Sequence, residues 1–434
     1  MSLRKNQYKA INISKENNFQ SGVHSHCTGS GKSWIALEII IEYNKQYPDK
    51  NIMWLCEQKS ILIEQFNRQT LAEKGYKDIF KKFLIINYTQ DKPAKWYDNV
   101  NSASIWKKPI LLIINRSFLV SKKKYENIKI NIDLIIHDEC HSITNNTTQQ
   151  FYEFITTKNE NISCIGFSAT PELNINPYTK ILSNYSIYDA FCDNVIVKPT
   201  IKWIKCDREI TNIDYIHICK LEIDKLNYKK VIVWCGMIDL CKKLSLLWKS
   251  YFPDFLIAID TSIEDDCVDF EKFNQQEKNA ILFCACKHRE GSDIKNLDGC
   301  IFLDKVENRN SKTFVQCIGR VLRKDKLNIK KYGLILDLNA SSCLKICDRV
   351  NPYLESSDNF PWIYNYSYLN INNKNILLNS LELTDDDNKS KYTLQQHTIK
   401  DITKRFIKTC PNDENYVLRL QDELEIISKK NLSS

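Results

Sequence analysis

The stretch GVHSHCTGSGKSWIALEIIIEYNKQY, residues 22–47, sets the reading of everything around it. Its opening, GVHSHC, reads as a short strand, and SWIALEIIIEYNKQY reads as a helix stopped by Pro48. Between them, CTGSGKS places two glycines ahead of a lysine and a serine. A glycine-rich turn from strand into helix aims backbone N–H groups and the positive helix end at one point, as a bound phosphate requires. On this reading Thr28, Gly29, Ser30 and Gly31 form a cradle. Lys32 neutralises the β and γ phosphates of a nucleotide, and the Ser33 hydroxyl ligates Mg2+. The strict pattern is G-x-x-x-x-G-K-[ST], and counting back from Gly31 puts His26 where its first glycine belongs. His24 and His26 are read as packing residues at the strand end rather than as ligands.

Short β-branched runs with helical stretches between them recur along the chain. Strands are predicted at 22–26, 52–56, 83–88, 110–114, 132–137 and 162–167. A second series is predicted at about 195–205, 231–235, 255–259, 280–285, 299–303 and 333–337. Several, such as DLIIHD, KVIVWC and NAILFCAC, are continuously apolar, as parallel strands buried on both faces should be. The alternation predicts an α/β chain with two doubly wound parallel sheets in tandem, at residues 1–195 and 196–348. After residue 348 the pattern changes. PWIYNYSYLNI is strand-like, LTDDDNKSK reads as a solvated loop, and two helices follow, the last with Val417, Leu420, Leu424 and Ile427 on one face. Residues 349–434 are therefore expected to form a small α-rich C-terminal extension, to which no chemistry is assigned.

Composition is that of a folded chain, with 43% hydrophobic and 26% charged residues among 434. The net charge of +8 is uneven: from residue 351 onward 10 Lys+Arg face 12 Asp+Glu, leaving 51 against 41 before it. A basic body suits a polyanionic partner, but the excess is mild and a solvated basic surface would look the same. The 17 cysteines include no C-x-x-C pair, so the spacing of a zinc site is lacking and free thiols in a reducing compartment are expected. The start, MSLRKNQYKA, lacks the apolar run of a signal peptide. The longest apolar runs, such as ILLII (110–114), fall far short of the roughly 18 residues that span a bilayer. A cytoplasmic protein without a membrane partner is expected.

A second segment carries chemistry. LIIHDECH (134–141) is an apolar strand that delivers two adjacent carboxylates at its carboxyl end. There Asp138 would hold Mg2+ through water, and Glu139 would orient and deprotonate an attacking water. A plain acidic turn is the alternative, and the phosphate loop upstream weighs against it.

CTGSGKS, DECH and FSATP (167–171), in this order, resemble motifs I, II and III of the superfamily 2 helicases of DExH type. That family writes its phosphate loop as T-G-x-G-K-[ST], so His26 is tolerable. Further segments are similar to the remaining motifs. LRKNQYKAI (3–11) resembles the upstream glutamine segment, which implies that Gln7 contacts adenine. IMWLCEQKSILIEQF (52–66) and IINRSFL (113–119) resemble motifs Ia and Ib, which grip the nucleic-acid backbone in the family. VIVWCGMIDLCKKL (231–244) resembles motif IV, and HREGSDIKNLDGCIFL (288–303) resembles motif V, with Gly291 and Asp293 at its centre. FVQCIGRVLR (314–323) resembles motif VI and supplies Gln316, Arg320 and Arg323.

The resemblance covers roughly residues 3 to 337 and implies two RecA-like domains that bind ATP and Mg2+. It implies that Arg320, with Arg323, reaches the γ-phosphate on domain closure as an arginine finger. It also implies that Ser168, Ala169 and Thr170 couple the γ-phosphate to a nucleic-acid track, with His141 bridging motif II to them. Only Cys56 lies between motifs I and II, which argues against the iron–sulfur helicases. DECH points away from the DEAD-box type. LRKNQYKAI, DECHSI, FSATP and EGSDI are nearest to the group related to type I and III restriction motor subunits, a group also found in large DNA viruses. A viral origin would place the protein in a virus factory or virion.

The expected function is ATP-driven movement along, or unwinding of, DNA or RNA, with a single strand as track and protein partners left open. Two alternatives stand beside it: an ATPase that remodels protein–nucleic-acid complexes without unwinding, and a non-hydrolysing nucleic-acid-binding module.

Overall fold

The computed structural model describes residues 3–57, 75–76, 78–88, 94–102, 105, 108–263, 267–289, 294–304, 306, 310–325, 327–340 and 362–383. The chain divides into two units, Met1–Ser186 and Ile187–Ser434, whereas the sequence placed the boundary after residue 195.

The first unit carries strands β1 (Gly22–His26), β2 (Ile52–Cys56), β3 (Leu84–Tyr88), β4 (Ile110–Asn115), β5 (Leu134–Asp138), β6 (Ser163–Ser168) and β7 (Ile181–Tyr185). They form one parallel sheet in the order β3-β4-β2-β5-β6-β1-β7. The continuously apolar strands follow from this arrangement. In β2, Met53 and Leu55 join one core layer with Val23, Leu112 and Ile135. Ile52 and Trp54 join the opposite layer with Ile35, Ile39, Leu111 and Ile136. A strand alternates its side chains between faces, so a strand covered on both must be apolar at every position.

Six of the seven strands coincide with the predicted ones to within two residues. The seventh, β7, was not expected, because ILSNY lies on the sheet's edge with Ile181 exposed and Ser183 and Asn184 breaking the apolar run. β7 has a consequence for β1. Ser183 Oγ lies 2.7 Å from His24 Nδ1 and 2.8 Å from His26 Nε2, and Ser14 Oγ lies 2.9 Å from His24 Nε2. Burial depresses both imidazoles, His24 to about 3 and His26 well below the ordinary range, the latter aided by His24, Lys32 and Lys9.

These depressed values make a sign-definite prediction. Below pH 6.5 the unfolded chain protonates both histidines while the native state does not, so stability is complete above about 6.5 and falls as the pH drops. Each histidine costs about 1.4 kcal/mol per pH unit, so roughly 3 kcal/mol is lost by pH 5.5. Urea unfolding curves of wild type and His26→Gln at pH 7.0 and 5.5 measure this, and the variant should lose about 1.3 kcal/mol less than wild type over that interval. An equal loss in that variant would show that other groups carry the acid sensitivity.

The second unit carries β8 (Lys198–Lys205), β9 (Lys230–Trp234), β10 (Leu256–Ile259), β11 (Ala280–Cys284), β12 (Gly299–Phe302) and β13 (Tyr332–Asp337). They are parallel neighbours in the order β10-β11-β9-β12-β13-β8. Beyond β8 the sheet continues antiparallel through β15 (Lys374–Leu383) to β14 (Trp362–Ile371). The described part of the expected α-rich extension is thus a β-hairpin on the edge of the second sheet. Its tight turn is Asn372–Asn373, both left-handed (φ 51° and 61°), a geometry that asparagine tolerates and that matches strand twist. Ile371, Ile376 and Leu378 pack with Ile204 and Leu334 in the unit's core. The two helices expected near the C-terminus lie outside the described residues. Among the described residues no helix is long and apolar enough to cross a membrane.

Candidate nucleotide site

Strand β1 ends at His26, and the chain turns through Cys27–Gly31 into helix α2, Lys32–Gln46. Gly29 and Gly31 have φ of 86° and 88°, the left-handed region that costs a side-chain-bearing residue most. Ser30 braces the turn, its N–H and its hydroxyl both donating to the Cys27 carbonyl, at 3.3 Å and 2.7 Å. Lys32 Nζ donates to the His26 carbonyl at 3.2 Å, folding back over the loop. At the position of the strict pattern's first glycine, the His26 side chain is buried against Ser183 of β7.

Gln7, on helix α1 (Lys5–Glu16), meets the cradle directly. Its amide nitrogen donates to the Ser30 carbonyl at 3.4 Å, its oxygen accepts from the Arg4 N–H at 2.9 Å, and a Cβ on Gly31 would overlap that nitrogen. Arg4 was not singled out in the sequence; its Nη1 lies 3.5 Å from the Gly29 and Ser30 carbonyls.

One strand separates β1 from β5, which ends at Asp138. Both strands present their carboxyl ends to the same edge of the sheet, the edge where open α/β sheets bind ligands. Burial and the neighbouring Glu139 carboxylate push the Asp138 carboxyl up, while Lys32 opposes them. Glu139 occupies the left-handed region (φ 54°, ψ 51°), a strained conformation for a glutamate. Its Oε2 lies 3.4 Å from His141 Nδ1, and that same nitrogen lies 3.2 Å from Ser168 Oγ at the end of β6. Ser168 Oγ also accepts from the Thr170 N–H at 3.0 Å. Ala169 and Thr170 follow, both buried.

The donor set fits a magnesium nucleotide. A left-handed glycine loop at a helix N-terminus suits phosphate, and two adjacent half-buried acids, one raised by the other, are the charge excess that a hard cation offsets. Thr28, Gly29, Ser30, Gly31, Lys32, Ser33, Asp138, Glu139, His141, Ser168, Ala169 and Thr170 all lie at this edge of the first unit.

In the second unit Gln316 and Arg320 are buried on the helix Ser311–Val321, and Arg323 follows it, half-buried. Gly291 and Asp293 lie outside the described residues. Just before them Arg289 pairs with Asp304 at 2.7 Å, and His288 with Asp260 at 2.5 Å.

A polar cluster beside β5 joins Glu57, of the segment resembling motif Ia, to Arg116, of the segment resembling motif Ib. Arg116 forms a two-pronged pair with Glu57 and donates to Thr148 Oγ1 at 2.7 Å. His137 Nε2 lies 3.8 Å from Glu57 Oε1, and its Nδ1 lies 2.8 Å from the Tyr152 hydroxyl. Burial alone would raise the Glu57 carboxyl, but nearby His137 and the ion pair with Arg116 outweigh it and hold it at about 2. A buried arginine beside a strand end is invisible to motif spacing, because one sequence does not say which arginines face inward.

Residues 1–173 match the model described as type III restriction enzyme, res subunit, and residues 214–325 match the helicase conserved C-terminal domain. The chain belongs to the superfamily 2 helicases. Within them it is related to the type III restriction helicases. This helicase-family chain is 25% identical over 372 residues to "Putative helicase 22" of Sulfolobus islandicus filamentous virus (isolate Iceland/Hveragerdi), matching 75% of itself and 62% of that protein. In structure it is similar to the ATP-dependent Type ISP restriction-modification enzyme LlaBIII bound to DNA. There the TM-score is 0.56 and the identity 15%, over 82% of this chain and 30% of that one. It is also similar to S. cerevisiae Dbp5 bound to RNA and ADP BeF3, with a TM-score of 0.54 and 13% identity over 81% and 87% of the two chains. These structural likenesses are of fold, and they agree with two tandem RecA-like sheets. The chain thus spans under two thirds of the viral relative and under a third of the restriction enzyme.

Proposed function

We propose that the protein is an ATP-driven motor on nucleic acid, a helicase or translocase that couples hydrolysis to movement along a single strand. The observation that carries this reading is the convergence of the cradle, Lys32 and the adjacent acids Asp138 and Glu139 at one sheet edge, with His141 bridging Glu139 to Ser168.

In this reading the loop N–H groups and Lys32 hold the phosphates, Gln7 and Arg4 brace the loop beneath the base, and Ser33 and Asp138 hold the metal. The bound Mg2+ supplies charge neutralisation on the phosphate oxygens. Glu139 orients the attacking water and takes its proton. Arg320 and Arg323 supply positive charge to the transition state, with Gln316 beside them, and Gly291 and Asp293 serve the nucleotide from motif V. His141 and Ser168 register whether the γ-phosphate side of the site is filled and pass that state to β6.

Contacts to a strand's phosphates carry little sequence information and release counterions, so binding should be weakly sequence-specific and strongly salt-dependent. Steady-state ATP hydrolysis without polymer, and with single-stranded DNA, single-stranded RNA or duplex DNA, is the test. One polymer is expected to raise the rate at low salt, salt to suppress the rise, and Lys32→Ala to remove it. No stimulation by any polymer at low salt would overturn the motor reading. A strand-displacement assay on a tailed duplex then separates unwinding from translocation alone.

A further inference from the structure

The helix Ser311–Val321 carries Gln316 and Arg320, and its C-terminal carbonyls reach past the last hydrogen-bonded turn. Three successive carbonyls are nonetheless satisfied. Leu322 O accepts from the Val197 N–H at 2.9 Å, while Val321 O and Arg323 O accept from Lys330 Nζ at 2.5 Å and 3.2 Å. The third proton of that ammonium goes to Leu297 O, at 2.6 Å, within the motif V segment. Lys330 is 6% exposed, and the three hydrogen bonds of its ammonium all go to backbone carbonyls.

The surroundings are built to keep this cation in place. Asp325 accepts from the N–H groups of Leu327, Ile329 and Lys330 and from the Tyr228 hydroxyl at 2.8 Å. Asp298 accepts from the N–H groups of Tyr228 and Lys229. Neither carboxylate bonds the Lys330 ammonium, but the charges of both counter the burial that lowers its pKa to about 8. Gly333 closes the other side, where a Cβ would overlap Val321 O. An ammonium has three donors in a compact head; here two meet carbonyls at the negative end of the helix and the third meets the Leu297 carbonyl before β12. An apolar side chain would fill the space without the desolvation cost, so the charge is there for geometry rather than packing.

We propose that Lys330 is a positioning residue for the motif VI arginines, clamping residues 321–323 so that Arg320 and Arg323 hold their register. The inference rests on the proposed ATPase reading. The test uses the full chain with Lys330→Met, Gly333→Ala, Arg320→Ala and the double variants, reading kcat and KM for ATP hydrolysis alongside thermal unfolding. A shift of about 1 Å at a reacting group costs on the order of 10²-fold. Lys330→Met should therefore lower kcat by roughly 10- to 100-fold with KM for ATP little changed. On top of Arg320→Ala it should add almost nothing, because residues acting as a unit are non-additive. Gly333→Ala keeps the ammonium but drives a methyl into the Val321 carbonyl, and should repeat that pattern. A folded Lys330→Met with wild-type kcat, or a full multiplicative loss on top of Arg320→Ala, overturns the inference. If Lys330→Met fails to fold, Gly333→Ala is read against the same two outcomes. If Arg320→Ala is slow while Lys330→Met and Gly333→Ala are not, this inference alone falls. If Arg320→Ala hydrolyses at the wild-type rate, the arginine reading falls and takes this inference with it.

Discussion

Replacing Glu139 by glutamine is expected to lower kcat for ATP hydrolysis by roughly 10²- to 10⁴-fold while leaving nucleotide binding nearly intact. The size follows from what is removed. Glutamine keeps the shape and the left-handed backbone of residue 139 but cannot accept a proton from water. It also relieves the like-charge repulsion that raises Asp138, so nucleotide affinity should hold or improve. His141→Ala separates chemistry from coupling. With the bridge from Glu139 to Ser168 gone, basal hydrolysis should fall less than in Glu139→Gln, and stimulation by the polymer should fall more than basal hydrolysis. Single-turnover hydrolysis and equilibrium nucleotide binding measure the two effects. A Glu139→Gln protein that turns over normally would remove Glu139 as the base.

The contrast between Glu139 and the polar cluster beside β5 shows what a sequence carries. The cradle and DECH were legible because phosphate and metal chemistry demand particular residue types at fixed spacing from strand ends, and apolar strands announce themselves by being buried on both faces. β7 was not legible, since an edge strand with polar positions has no such signature. The hairpin 362–383 was half legible. Its first strand is aromatic-rich, but the Asn372–Asn373 turn is a weaker signal than Asn-Gly, and the second strand's apolar residues read equally well as helix. Lys330, Arg116 and Glu57 were not legible because burial of a charge is decided by tertiary partners far away in sequence. Arg116 and Glu57 stand 59 positions apart and meet only because β4 and β2 are neighbours.

That pair yields the second large effect, on stability. Arg116→Ala is expected to destabilise the first unit by about 3 kcal/mol, the low end for a broken buried pair, because it leaves the half-buried Glu57 carboxylate with only His137 nearby. The loss should exceed that of Asn115→Ala. Asn115 accepts from the Phe118 N–H at 3.0 Å and donates to Glu57 O at 2.8 Å, a capping contribution worth about 1 kcal/mol. Removing both charges together reverses the logic. The double replacement Glu57→Gln with Arg116→Met leaves no orphaned ion, and should recover most of the loss, since apolar substitutes for buried ion pairs are often neutral or better. Urea unfolding of the four proteins at pH 7.5 measures it. An Arg116→Ala loss below about 1 kcal/mol would mean that water screens the pair, as at an exposed salt bridge. A double variant no more stable than Arg116→Ala would place the contribution in packing and in the Thr148 contact rather than in charge. In either case the ends of β2 and β4, which lead into motifs Ia and Ib, would be held by something other than this ion pair. If the predicted pattern is found, Arg116 is already committed to Glu57, and whatever grip motif Ib has on a phosphate backbone must come from other groups in that segment.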